Sequence, residues 1–208
     1  MYLTITNLVK TFFTGGFKQG LQAQPADHGD HTYVRGDIEN RGPCPGLNAL
    51  ANHGYLLLPL CREDGTFDLA DTRRHNVIEH DSSFTRLDFH QGDNYTFQQD
   101  MLQAMIDDAE GGPVTPRSLA KTFIRRGKES RDAGAPRLPL NLWFVRMIQA
   151  VGVINAAQTG GKVTKEVLEA VFVEERLPDV ILDNPKTRTL YDMLGLVFGM
   201  MRYVVFGP

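Results

Sequence analysis

The stretch Leu142 to Ala157 constrains the fold more than any other part of the chain. At helical spacing, Phe144, Met147, Ile148 and Val151 line one face, and Val145, Gly152, Val153 and Ala156 line a second. A helix that is apolar on two faces has to be covered on most sides by other elements. The rest of the sequence offers helices for this purpose. One is expected from Asp68 towards Glu79, and one over residues 95–108 presents Phe97, Met101, Leu102 and Met105 on one side. Thr115 and Pro116 read as the N-cap and first position of a helix running to about residue 128. Thr164 caps another that carries Val167, Leu168, Val171 and Phe172, and Arg188 to Tyr203 closes the series. Alternation of strand type is almost absent, so the expected class is mainly α. The 208 residues show no break in composition, which implies a single compact helical domain over residues 1–208. Residues 14–46, rich in Gly, Asp, His and Pro, read as a long N-terminal arm on its surface.

Charge and cysteine usage narrow the function. A net charge of −3 gives no broad basic surface, so nucleic acid is not an expected partner. Two cysteines cannot build a disulfide framework. Cys61 is most simply a buried free thiol, with a Cys44–Cys61 bridge as the alternative. The start, "MYLTITNLVKTF", has neither a basic leading segment nor a small-residue cleavage site, which favours an intracellular chain or one whose signal was removed. The apolar tail "TLYDMLGLVFGMMRYVVFGP" is interrupted by Asp192, Arg202 and glycines. It is expected to pack on the core or over a pocket mouth, with weak membrane contact as the lesser reading.

Cys44 lies between two prolines in "NRGPCPGLNALANHGYL". Pro43 and Pro45 fix φ on either side of it, and Pro45 suits the first position of a helix. Cys44 is therefore expected at the N-cap, with Leu47 and Leu50 on a short apolar face and Gly54 as the stop. The unpaired amides and positive dipole end of that helix should lower the thiol pKa, which suits a metal ligand or a nucleophile.

A second dense cluster is "RHNVIEHDSSFTR", residues 74–86. Oxygens from Glu79 and a nearby hydroxyl suit a hard cation such as Mg²⁺, and His80 can exchange protons near neutral pH. A zincin-like reading of His75 and His80 fails on register. Histidines five residues apart on a helix point about 140° apart, and H-N-V-I-E-H has one residue too many.

Together, "RGPCPGLNALANHGYL", "HNVIEHDSSFTR" and "GDNYTFQQ" resemble the fungal haem-thiolate peroxidases, the chloroperoxidase and unspecific peroxygenase family, in a short form. The resemblance is close over residues 35–110 and looser beyond. It implies the chloroperoxidase fold, haem b and a peroxide-dependent oxidation, oxygenation or halogenation of an apolar or aromatic small molecule, and the intracellular reading suggests a biosynthetic one. Cys44 would be the proximal ligand to the haem iron, with Pro43, Pro45, Leu47 and Asn48 around the cofactor. Glu79, the carbonyl of His80 and the hydroxyl of Ser83 would hold Mg²⁺ or Mn²⁺. The His80 side chain would relay a proton on the distal side, with Asp81 beside it.

The chain departs from the family pattern twice. In "FVRMIQAVGVIN", Gln149 stands where the family's distal glutamate is expected, and an amide cannot accept and return a proton. The family segment between the NHGYL and E-H-D regions is shortened here to "LLPLCREDGTFDLADTRRHN", which predicts a wider distal side, covered by the C-terminal stretch or by a second subunit in a homodimer. Both departures favour a runner-up reading: a non-oxidative rearrangement or cyclisation catalyst, or a non-catalytic haem protein, on the same fold.

Overall fold

In the computed structural model the described residues are 31–55, 69–76, 79–157, 159–186 and 189–208. All belong to one unit running from His31 to Pro208. Among them the regular structure is helical: α1 (Pro45–Asn52), α2 (Gln99–Asp107), α3 (Pro116–Asp132), α4 (Leu140–Ala157), α5 (Lys165–Phe172), α6 (Asp179–Leu182) and α7 (Leu190–Phe206). Short 3-10 turns lie at Ile38–Asn40, Leu69–Arg73 and Phe89–Gln91. Pairing of strand type among the described residues is limited to isolated bridges, such as Val114 with Val163. The mainly α expectation holds.

The long helices begin where their capping chemistry directs. Thr115 accepts from Ser118 N while its own N–H donates to the Ser118 hydroxyl, and Pro116 occupies the first helical position. Thr189 and Asp192 form the same reciprocal pair at the head of α7. α7 packs along both α3 and α4. Their facing side chains, including Leu119, Phe123, Met147, Val151, Ile154, Val197 and Met200, make one apolar core with Leu102 and Met105 of α2 and Leu168 of α5. Each large side chain fully buried there contributes about 1.5–3 kcal/mol. α4 is long and apolar enough to cross a membrane by length and composition, but it serves here as a packed bundle helix.

Three expectations need correction. α4 is not closed on most sides by the described residues: Leu142, Met147, Val151 and Ile154 are buried, Val145, Ile148 and Val153 are half-buried, and Gln149 is exposed. The helix expected from Asp68 to Glu79 ends as a 3-10 turn at Arg73. Asn76 adopts a left-handed φ of 63° and donates its N–H to the Glu79 carbonyl, which turns the chain instead of coiling it. The helix expected from residue 95 starts at Gln99, because Asp93 Oδ1 accepts the N–H groups of Tyr95 and Thr96 and holds them in a turn. Of the proposed arm, residues 14–30 lie outside the described residues, and 31–44 are irregular apart from the turn at Ile38–Asn40. Tyr191, Phe198, Val205 and Phe206 leave an exposed apolar face on α7.

Candidate active site

Cys44 sits at the N-cap of α1 in extended conformation, with Pro45 as the first helical residue and a left-handed Gly54 (φ 69°) past the end. It is a free thiol, and Cys61 falls outside the described residues. Burial pushes the Cys44 thiol above its ordinary value, contrary to the sequence expectation. The amides of Leu47 and Gly46 and the charge of Arg86 pull the other way, so the helix end acts as expected but is outweighed. The loop before Cys44 passes so close to the 69–73 turn that a Cβ on Gly42 would stand 2.6 Å from the Leu69 carbonyl oxygen. Glycine is required there for space.

The Glu79-His80-Asp81 segment is an irregular turn, held by side chains from distant elements. Ser82, at φ 64°, donates its N–H to Asp88 Oδ1 at 2.6 Å, and Phe89 N donates to Asp81 Oδ1 at 2.8 Å. Arg146 of α4 donates to the Ser82 carbonyl and Arg126 of α3 to the Ser83 carbonyl, at 2.8 and 2.9 Å. Burial and the neighbouring Arg126 push Arg146 down to about 9, so it remains a cation at neutral pH. Arg126, Arg146 and Asp88 were not singled out by the sequence reading. The available signal was Arg146, a charge inside an otherwise apolar helix.

Glu79 is buried, and burial raises its pKa although His75 opposes this. One carboxylate oxygen contacts His75 Nδ1 at 2.8 Å, while Oε1 is buried without a hydrogen-bond partner. An orphaned carboxylate oxygen fits a cation ligand. Against this, no group of three or more His, Cys, Asp or Glu side chains among the described residues forms a metal cluster.

His80 is buried, and burial lowers its pKa, which keeps the ring neutral near neutral pH. Its Nδ1 lies 2.8 Å from the Asp81 carbonyl. A carbonyl only accepts, so Nδ1 carries a proton and the neutral ring has its lone pair at Nε2. The Gln149 amide oxygen stands 3.0 Å from Nε2. A hydrogen bond across that contact needs either a proton on Nε2 or the amide turned to present its NH₂ group. In either arrangement the amide itself does not take up a proton. The structure thus brings together His80 and Gln149, which lie 69 residues apart in sequence.

The model of the family described as "Peroxidase, family 2" matches residues 31–58 and 57–188. The chain belongs to peroxidase family 2. An aromatic peroxygenase of Coprinellus radians is 29% identical to this family 2 chain over 164 residues, covering 53% of the chain and 62% of the relative. One of Cyclocybe aegerita is 22% identical over 213 residues, covering 74% of the chain and 57% of the relative. An aromatic peroxidase of Fusarium equiseti is 45% identical over 47 residues, which is 21% of this chain and 10% of that one. The family 2 chain thus spans less than two thirds of each relative's length.

The donor set fits the haem that this family implies. A free thiol at the N-cap of α1, where the helix's first amides have no partner within the helix, is a suitable axial ligand.

Proposed function

We propose that this chain is a haem-thiolate oxidoreductase that uses hydrogen peroxide to oxidise, oxygenate or halogenate an apolar or aromatic small molecule. The observation that carries the reading is the free Cys44 at the N-cap of α1, directly before Pro45 at the first helical position. Haem b held there supplies two-electron oxidation by peroxide, with thiolate electron density favouring O–O cleavage.

The chain's own residues do the remaining work. Cys44 ligates the iron, while the first amides of α1 temper its sulfur and Pro43 and Pro45 fix the backbone on either side. Asn48 brackets the approach to Cys44 by bonding both backbone groups of Gly42. Leu47 offers an apolar contact to the cofactor. His80 takes a proton from peroxide at Nε2 and returns it to the departing oxygen, its tautomer fixed by the Asp81 carbonyl. Gln149 steadies the ring. The Asp81 carboxylate accepts from Phe89 N through Oδ1 and so shapes the turn beside His80, while Oδ2 lies 3.8 Å from His75 Nε2. Glu79 Oε1, the His80 carbonyl and the Ser83 hydroxyl form the candidate seat for Mg²⁺ or Mn²⁺, supported by the orphaned Glu79 oxygen.

Gln149 favours a second reading. An amide that donates to Nε2 occupies the only basic site in the pair, which suits a non-oxidative catalyst or a non-catalytic haem protein. Absorption spectroscopy on the haem-reconstituted protein, reduced under carbon monoxide, tests the ligand first. A Soret band shifted far to the red, lost in Cys44→Ala, is expected. A histidine-type band, or no haem uptake, overturns the haem-thiolate reading. Peroxide-dependent turnover then separates the two reactions, and turnover without peroxide favours the second.

A further inference from the structure

α1 is only eight residues long, so its position depends on what grips it. Along one edge, Cys44, Asn48 and Asn52 follow each other at intervals of four residues. Asn48 holds the loop before Cys44: its Oδ1 accepts from Gly42 N at 3.1 Å and its Nδ2 donates to the Gly42 carbonyl at 2.8 Å. The same Nδ2 donates to Glu175 Oε1 at 2.6 Å. One turn further on, Asn52 Nδ2 donates to the Glu175 carbonyl at 3.0 Å, and Leu177 N donates to His53 Nε2 at 3.2 Å. The segment just beyond α5 therefore latches onto the ligand-bearing helix through both the side chain and the backbone of one residue.

Glu175 is an unfavourable residue to find there unless it has a task. It is 7% exposed and left-handed, with φ 51°, so both its charge and its backbone carry a cost. A glutamine would accept the bond from Asn48 equally well. An alanine would not, and would leave Asn48 without that acceptor.

We propose that Glu175 is a positioning residue for Cys44: through Asn48 it fixes the Gly42–Cys44 loop. That Cys44 is a ligand rests on the haem-thiolate reading; the latch itself does not.

Two variants of the full chain test the latch. In the haem-free protein, amide hydrogen exchange over residues 42–52 reports the latch. Glu175→Ala is expected to speed it by about tenfold or more, while Glu175→Gln, which still accepts from Asn48, stays near the parent. Unchanged exchange in Glu175→Ala, or a rise spread evenly over the whole protein, overturns the latch. Loss of protection in Glu175→Gln equal to that in Glu175→Ala also overturns it, because the glutamine keeps the acceptor for Asn48. Should the protein refuse haem, the haem-thiolate reading falls while the exchange experiment still decides the latch.

Discussion

Arg146→Met probes how the E-H-D turn is held. The Arg146 guanidinium is 4% exposed and donates to the carbonyls of Ser82 and Phe123, each at 2.8 Å. It also lies over the Phe123 ring, 3.8 Å from the centroid. Bonds from a charged donor contribute about 1.5–3 kcal/mol each, and the ring contact adds about 1 kcal/mol. Methionine fills similar space without desolvating a charge or repelling Arg126, so part of that loss is offset. A net destabilisation of about 2–4 kcal/mol remains, or a fall in Tm of about 4–16 °C for a chain of this size. Urea unfolding followed by circular dichroism measures it, with an unchanged m-value showing that stability alone has moved. Arg146→Lys should fall between the two, because a compact ammonium reaches one carbonyl where the planar guanidinium reaches both. A loss below about 1 kcal/mol for Arg146→Met would refute the view that this side chain pins the turn.

Gln149→Glu gives the distal pair a second proton-carrying group. Peroxide-dependent turnover of the haem-loaded protein is expected to rise by about 10²-fold or more, and no gain would remove Gln149 from the distal acid position. Asp93 is held below its ordinary 3.8: burial opposes this, but the Thr96 and Tyr95 amides and Arg73 outweigh it. A depressed folded pKa gives stability that is present above the unfolded value and lost as pH falls through the folded one. Asp93→Asn should therefore unfold with a shallower pH dependence below about pH 4, and an acid-unfolding profile identical to the parent's would contradict it.

The elements legible in the sequence were those decided by nearby residues. Thr115 and Pro116 mark the head of α3, and the prolines around Cys44 mark its N-cap, because capping is settled within four residues. The turn that follows Glu79-His80-Asp81 is hidden for the opposite reason. The carbonyls of Ser83 and Ser82 are taken by Arg126 and Arg146, which lie 43 and 64 residues further along the chain, so no local pattern announces the turn. On the same ground, Glu175 is not distinguished in the sequence from Glu166, Glu169 and Glu174. It sits among several acidic residues after α5, and only its meeting with Asn48, 127 residues away, sets it apart. The direction of the Cys44 shift failed differently. The helix end was legible, but the burial that outweighs it depends on what closes around α1.

The two chemistry-bearing segments share one design. Neither Cys44 nor His80 lies within a long helix; each is on irregular backbone fixed by buried polar side chains from elsewhere, Asn48 and Glu175 for one, Asp88, Arg126 and Arg146 for the other. Such backbone can aim a ligand or a base in directions that helical geometry does not offer. It also makes the placement all-or-none, since a buried carbonyl that loses its donor has no water to replace it. Gln149 is the exception. It rides on regular helix α4 and is exposed. On the proposed reading, a substitution at position 149 acts on the acid–base chemistry of His80, while the bonds from Arg126 and Arg146 and to Asp88 that hold the turn come from other side chains.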